Sequence, residues 1–253
     1  MASKESSALD KAARTAHEKA APAAQDKAAR EEKPSIHSRL NDFLRKYRAA
    51  VIAVFAAGLL AVVVAAVWTI ADERVAARSA QALETAEASL QEWYGMEPGP
   101  AATEKANEIL AALESIRSKY GRRYAAQKAV VLAGRVQARN GDWAAAEKLF
   151  REAADLRKDS LLAGFALQEA AVAAEERRDT QAAIELWMKV VGLAGTVGVP
   201  HAHFALGSLY EDTKQYAQAK EQYDKLIAAY PENDWTKLAR DRIILLKSQG
   251  LLP

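Results

Sequence analysis

The stretch GSLYEDTKQYAQAKEQYDKLIAAYP, residues 207–231, decides the fold of this chain. It begins with a small residue, Gly207, and carries Ala219 and Tyr223 at offsets of 12 and 16 positions. A polar turn separates its two halves, so the stretch predicts two antiparallel helices. The second helix is expected to end at Pro231, because proline cannot continue a helix.

The same spacing occurs twice more upstream. Each copy places a small residue, an alanine and an aromatic at the same offsets: Gly134, Ala146 and Phe150; Ala171, Ala183 and Trp187; Gly207, Ala219 and Tyr223. The copies start 37 and 36 residues apart, and a fixed period in this range predicts a solenoid of stacked helical pairs. We expect the small residues where the two helices of a pair cross, and the rings in the gap toward the next pair.

These features resemble the tetratricopeptide repeat family. The resemblance is close over 201–231 and good over 127–153. It is weaker over 164–190, where Ala174 and Thr180 replace the usual aromatics. The resemblance implies an all-α chain whose C-terminal part is an α-solenoid of tetratricopeptide-like hairpins.

The predicted organisation has four parts: a disordered cytoplasmic tail (1–34), a basic juxtamembrane segment (35–48), a transmembrane helix (49–70) and a tetratricopeptide-like domain (71–253). Within that domain we expect a degenerate hairpin (72–120), repeats at about 127–158, 164–195 and 200–233, and a capping helix (234–249). One face of the capping helix is expected to carry Trp235, Leu238, Ala239, Ile243 and Leu246.

Residues 49–70 read AAVIAVFAAGLLAVVVAAVWTI and carry no charge. A helix of this length covers roughly 33 Å, which is enough to cross the hydrocarbon core of a bilayer. Tyr47 and Trp68 bracket the run, where aromatic rings suit the two interfaces. Two alternatives are open: a buried helix of a soluble protein, and a signal peptide with TIA at 69–71 as a weak cleavage site.

Flanking charge predicts the orientation of the transmembrane helix. The charged residues before it are mostly basic. They are Arg39, Arg45, Lys46 and Arg48, with Asp42 as the acid among them. Basic residues favour the cytoplasmic side, so we expect 1–34 in the cytoplasm and 71–253 outside it. The tail has no isoleucine, valine or aromatic residue, which predicts disorder, and its acidic residues argue against an organelle-targeting peptide.

The composition excludes several classes of chemistry. The chain has no cysteine, so disulfides, thiolate zinc sites and cysteine nucleophiles are ruled out, and a net charge of +2 gives no argument for nucleic acid. His201 and His203 are two positions apart and point in different directions around a helix. Neither a glycine-rich phosphate loop nor HExxH or GxSxG occurs. We predict no enzyme activity, no cofactor and no metal.

The resemblance implies a groove lined by the first helix of each pair, where peptides or partner helices bind. Carried over by position, its residues are Lys128, Val131, Arg135, Arg139, Phe165, Gln168, Val172, Glu175, Glu176, His201, Phe204, Ser208, Glu211 and Asp212. Val131, Gln168 and Phe204 stand where chaperone-tail-binding members carry clamps for a terminal carboxylate, so such a ligand is disfavoured. The groove is basic at one end and acidic at the other, which suits an amphipathic or mixed-charge segment. The two phenylalanines are either exposed to a partner or covered by neighbouring pairs.

The layout of anchor and exported repeats resembles the YfgM type, ancillary subunits of the bacterial Sec translocon. The stretch ADERVAARSAQALETAEASL, residues 71–90, is similar to that group as well. The resemblance implies a non-enzymatic inner-membrane factor that contacts translocon subunits, exported chains or periplasmic chaperones. The alternative is a structural adaptor of a cell-envelope or division complex, as in YbgF-like proteins. Partner identity and oligomeric state stay undetermined at this point.

Overall fold

The computed structural model describes residues 36–193 and 197–253. The predicted disordered tail, 1–34, lies outside the described residues. The chain divides into two compact units, Met1–Thr69 and Ile70–Pro253. All regular secondary structure in the described ranges is α-helical, which confirms the all-α prediction.

The described ranges contain these helices: α1 (Ile36–Tyr94), α2 (Pro100–Tyr120), α3 (Tyr124–Arg139), α4 (Trp143–Leu156), α5 (Leu161–Glu176), α6 (Thr180–Val191), α7 (Val199–Asp212), α8 (Tyr216–Ala229) and α9 (Asp234–Ser248). Helices α3 and α4, α5 and α6, and α7 and α8 pack as pairs, and each pair packs on the next. These three pairs overlap the three repeats that the sequence spacing predicts.

The first unit contains the apolar part of α1. Its side chains from 52 to 69 are all exposed, including Phe55 and Trp68. Among the helices described, α1 alone is long and apolar enough to cross a membrane, by length and composition. None of its most apolar window is buried, so the alternative of a buried helix in a soluble protein does not fit. A membrane anchor and a signal sequence both fit.

Two glycines of the first helices hold aromatic rings from the second helix of the same pair. A Cβ atom at Gly134 would lie 2.6 Å from Phe150 Cε1, and one at Gly207 would lie 2.2 Å from Tyr223 Cε1. Carbon atoms in contact sit at about 3.5–4.0 Å, so neither position has room for a side chain. The rings therefore pack on the first helix of their own pair, whereas the sequence led us to expect them in the gap toward the next pair.

The turn inside each pair has a repeated backbone geometry. Its second residue has a positive φ in all three cases: 81° at Gly141, 59° at Arg178 and 61° at Lys214. Glycine adopts this left-handed conformation freely, but a residue with a side chain loses roughly 1 kcal/mol there. The packing of the two helices therefore sets the turn, even where the local residue disfavours it.

Aspartate caps the second helix in the first two pairs. The carboxylate of Asp142 accepts the N–H of Ala145 at 3.0 Å, and that of Asp179 accepts the N–H of Ala182 at 3.1 Å. Gln215 occupies the same place before α8 with similar backbone angles, but its side chain makes no capping hydrogen bond. The third pair therefore has the weakest turn of the three, with a strained lysine followed by an uncapped helix start.

The three pairs are flanked by further helices. The second part of α1 packs on α2 through buried residues such as Leu83, Leu90 and Ile109, and the indole N–H of Trp93 donates to the carbonyl of Ala102 at 2.9 Å. At the other end α9 packs on α7 and α8. On the face predicted for α9, Ala239 and Leu246 are buried, whereas Leu238 is 46% exposed.

Candidate functional site

The predicted groove residues lie on the first helices of the three pairs, α3, α5 and α7. Their exposure differs widely. Val131 and Glu211 are buried, whereas Arg139, Val172, Glu176 and Asp212 are exposed. The remaining residues are half-buried: Lys128, Arg135, Phe165, Gln168, Glu175, His201, Phe204 and Ser208. The contacts of each group decide what it can offer to a partner.

The basic end of the predicted groove contacts the part of α1 that belongs to the second unit, Ile70–Pro253. Lys128 Nζ lies 2.5 Å from Glu87 Oε1, and this hydrogen bond raises the pKa of Lys128. The guanidinium of Arg139 lies 4.5 Å from the ring centroid of Trp93 and 5.0 Å from that of Tyr94. Because the degenerate pair lacks the repeat spacing, no pattern in the sequence predicts that these α1 residues contact the groove residues.

Arg135 connects the first two pairs. Its guanidinium lies 4.9 Å from the ring centroid of Phe165 and donates to Glu169 Oε1 at 3.1 Å. A guanidinium stacked on an aromatic face and paired with a carboxylate is held in one orientation. Phe165 is therefore covered on one side by Arg135 while it stays half-exposed.

The acidic end is centred on Glu175. Its Oε1 accepts the indole N–H of Trp187 at 2.5 Å, so the carboxylate is tied to the second helix of its own pair. Burial raises the pKa of Glu175, and the charges of Glu176 and Asp212 act in the same direction. Within 36–193 and 197–253 neither Glu176 nor Asp212 takes part in an ion pair.

Glu211 has a structural role in the third pair. Its Oε1 accepts the hydroxyl of Tyr223 at 2.5 Å and the Nε–H of Arg242 at 3.1 Å, and the guanidinium also binds its second oxygen. Burial raises the pKa of Tyr223 well above its usual value, and the hydrogen bond to Glu211 adds to this. Ser208 Oγ lies 3.5 Å from the Tyr223 hydroxyl. These bonds occupy Glu211 inside the chain, so it has little to offer a partner.

Aromatic rings surround His201. Its ring centroid lies 5.0 Å from that of Trp187, edge to face, and 4.4 Å from that of Trp235, stacked. Phe204 lies 5.1 Å from Trp235. Burial lowers the pKa of His201 below its usual value. Trp235 was missed by sequence reasoning, although its place 34 residues after His201 is close to the repeat period.

Two further polar side chains are occupied internally. The amide of Gln168 donates to the carbonyl of Gly164 at 3.4 Å and lies against Gly198. His203 is buried, with its Nδ1 at 3.0 Å from Gln222 Oε1, and so is not available in the groove. No group of three His, Asp or Glu side chains in the described part of the chain could hold a metal ion.

A regular set of exposed charges is left after these internal contacts. Arg139, Glu176 and Asp212 close the first helices α3, α5 and α7, and they are spaced 37 and 36 residues apart like the repeats themselves. We call these three residues the charged edge. It runs from basic to acidic along the stack. The half-buried rings of Phe165 and Phe204 lie 11 and 8 residues before Glu176 and Asp212 on the same helices.

The model of the family described as "Tetratricopeptide repeat" matches residues 200–233, which span α7 and α8. Residues 200–233 are therefore similar to a tetratricopeptide repeat. A TPR repeat-containing protein of Treponema pallidum (strain Nichols) is 32% identical over 149 residues, covering 58% of this chain. The chain spans 62% of that relative's length. In tetratricopeptide proteins, stacked repeats form extended surfaces for binding other proteins.

Solved structures are similar at lower identity. A tetratricopeptide repeat protein from Parabacteroides merdae ATCC 43184 is 17% identical, with a TM-score of 0.49 over 66% of this chain and 61% of its own. MamA from Desulfovibrio magneticus RS-1 is 16% identical, with a TM-score of 0.46 over 67% of this chain and 93% of its own.

Proposed function

We propose that this chain is a membrane-anchored tetratricopeptide protein that binds a mixed-charge segment of another protein along the charged edge. The repeats would lie on the extracytoplasmic side of a bacterial inner membrane, with residues 1–34 in the cytoplasm. The chain would act by binding, without catalysis or cofactor.

One observation carries this proposal: the charged edge keeps its charges exposed while the charges around it are neutralised internally. Lys128, Arg135 and Glu211 all have partners within the chain. Arg139, Glu176 and Asp212 have no carboxylate or cationic partner within the described residues. A partner with an acidic residue near Arg139 and basic residues near the other two would complement the edge, and such complementarity steers association and fixes register.

The finer proposal is a YfgM-like accessory role at the Sec translocon. It rests on the resemblance of the layout, an N-terminal apolar helix followed by a tetratricopeptide array. On this proposal the partners are translocon subunits, newly exported chains or periplasmic chaperones.

Photo-crosslinking in cells tests the binding surface. A crosslinking residue at 139, 176 or 212 should capture the same protein, whereas one at exposed Lys148 or Glu185 on second helices should not. Translocon subunits or exported chains among the products would support the YfgM-like role. A single fixed envelope protein would instead favour an adaptor of the YbgF-like kind. Equal capture at the edge and at the control positions would refute the proposed surface.

Charge exchange makes the test quantitative. The double variant Arg139→Glu/Asp212→Lys keeps the net charge and inverts the edge, so we expect affinity for the captured partner to fall roughly tenfold or more. The matched control, Lys148→Glu/Glu185→Lys, makes the same exchange on second helices and should bind like the parent. Similar affinities for both variants would contradict the proposed role of the edge.

The topology needs its own test. A reporter enzyme that is active only outside the cytoplasm, fused after Pro253, should be active in cells. A stable but inactive fusion would refute the orientation and the localisation that follows from it.

A further inference from the structure

The described chain begins with an amphipathic helical segment whose apolar side chains pack against no other described residue of the first unit. Ile36, Leu40, Phe43, Leu44 and Tyr47 are all exposed, at 83% for Ile36 and 53% for Phe43. At about 100° per residue these five side chains fall within an arc of roughly 100° on one side of α1. An apolar face of this kind is normally covered, and within the first unit no described residue covers it.

Basic residues surround that apolar arc. Residues 36–48 contain Arg39, Arg45, Lys46 and Arg48 with one acid, Asp42, which gives a charge of +3 when histidine is neutral. Arg39 and Lys46 border the arc on one side and Arg48 borders it on the other. Long basic side chains placed on both flanks of an apolar face can extend toward lipid phosphates while their stems lie on the acyl boundary.

The helical geometry breaks where this segment meets the apolar run. Tyr47 has φ −110° and ψ 15°, outside the helical region, inside an otherwise helical stretch from Ile36 to Tyr94. Its ring contacts the Phe43 ring, with a centroid distance of 4.9 Å, and Lys46 Nζ lies 5.4 Å from its centroid. Residues 36–46 are therefore a separate helical segment, joined to the charge-free run 49–70 through one non-helical residue.

We propose that residues 36–47 form a second membrane contact, an amphipathic helix that lies along the surface of an anionic bilayer. This inference rests on the proposed membrane anchor, because the apolar run that follows directly is what would hold the segment at the bilayer. The apolar face would sit at the acyl boundary and the basic flanks would contact anionic headgroups. The break at Tyr47 allows the chain to turn from the bilayer plane into the span.

The positive charge of the segment favours anionic lipid over a second copy of the chain as the partner that covers this apolar face. A second copy of the chain would bring two segments of charge +3 together along their apolar faces, with the basic flanks side by side. An anionic lipid surface neutralises the same flanks and continues the apolar environment of residues 49–70. Paired with the span, the segment would fix the basic end of the chain on the anionic leaflet.

The absence of cysteine from the sequence allows a clean labelling experiment on the full chain. Single cysteines replace Leu40 on the apolar arc, Asn41 outside that arc and Val62 in the apolar run, and each carries an environment-sensitive fluorophore. The protein is reconstituted into vesicles of phosphatidylcholine alone or mixed with phosphatidylglycerol. In the anionic vesicles we expect the Leu40→Cys label to be blue-shifted and protected from an aqueous quencher, and the adjacent Asn41→Cys label to be accessible.

Neutralising variants test the electrostatic part. Arg39→Gln/Lys46→Gln should lower the ratio of lipid-protected to water-exposed Leu40→Cys label in anionic vesicles by roughly 30-fold. The matched control, Arg74→Gln/Arg78→Gln, removes the same charge after the apolar run and should leave that ratio unchanged. Equal protection in neutral and anionic vesicles, or excimer formation between labelled copies, would overturn the assignment to anionic lipid.

The Val62→Cys label separates this inference from the anchor on which it rests. If that label is protected while Leu40→Cys stays accessible in anionic vesicles, the surface helix is refuted and the membrane span stands. If the Val62→Cys label is itself accessible, the span is refuted, and the surface helix falls with it.

Discussion

Replacing Gly207 by alanine tests the packing of the third pair most directly. The added methyl group would lie 2.2 Å from Tyr223 Cε1, 2.6 Å from Cζ and 2.7 Å from Cδ1. The ring cannot easily retreat, because Tyr223 is fully buried and its hydroxyl is bound to Glu211. Alanine favours a helix interior by about 1 kcal/mol over glycine, whereas overpacking costs about 1–3 kcal/mol and here lies at or beyond the upper end. We expect a net loss of about 2 kcal/mol.

Urea unfolding of the full chain in detergent micelles, followed by tryptophan fluorescence, measures this loss. A double-mutant cycle identifies its cause: in a Tyr223→Leu background the ring is gone, so Gly207→Ala should become neutral or stabilising. Gly134→Ala is the matched comparison, and it should cost less because the methyl group would meet Phe150 at 2.6 Å and that ring has no hydroxyl to hold it. A Gly207→Ala variant as stable as the parent, with no coupling to position 223, would refute this account of the pair.

Four further substitutions should have measurable effects, each followed by urea unfolding. Gln215→Asp should stabilise the chain by about 1 kcal/mol by capping α8, and Asp179→Ala should cost about as much at the equivalent cap; no gain at 215 would contradict the capping argument. Lys214→Gly should stabilise by up to about 1 kcal/mol by relieving the left-handed conformation, and a loss would show that the lysine side chain contributes more than the strain. Burial raises the pKa of Glu175 above its usual 4.5, so protons favour the folded state, and the free energy of unfolding should fall as pH rises from 4.5 through the raised pKa. Glu175→Gln should lose this part of the pH dependence while its amide oxygen can still accept from Trp187; an identical pH profile would contradict the assignment.

The repeat spacing was sufficient to predict the three helical pairs. The combination of a small residue, an alanine and an aromatic at fixed offsets reflects contacts inside one pair. Each copy of this pattern therefore predicts one helical pair. The turn geometry was harder to predict from the sequence. Gly141 is a recognisable left-handed residue, but Arg178 and Lys214 adopt the same conformation only because the packed helices impose it. A pattern of residue types cannot indicate a conformation that the residue itself disfavours.

The sequence predicts which helices carry the groove residues, but not which of those side chains are already bound within the chain. The resemblance placed all the groove residues on the first helices, yet it could not tell that Glu211 would be bound by Tyr223 and Arg242, or Lys128 by Glu87. Arg242 and Glu87 lie outside the three predicted repeats, so the repeat spacing does not connect them to the groove. Tyr223 is a repeat position, and it bonds Glu211 across the same 12 residues that separate Glu175 from Trp187. The exposed charges that remain could be found only once the internal bonds were known.

The bond between Arg242 and Glu211 makes α9 more than a cover for apolar surface. Glu211 is 8% exposed, and the guanidinium of α9 is the cation that balances it. If α9 detached, a carboxylate would be left uncompensated beneath the surface, a situation that typically costs several kcal/mol. Helix α9 and the third pair should therefore unfold together as one cooperative unit. Deleting the residues from Asp234 onward should destabilise the third pair as well.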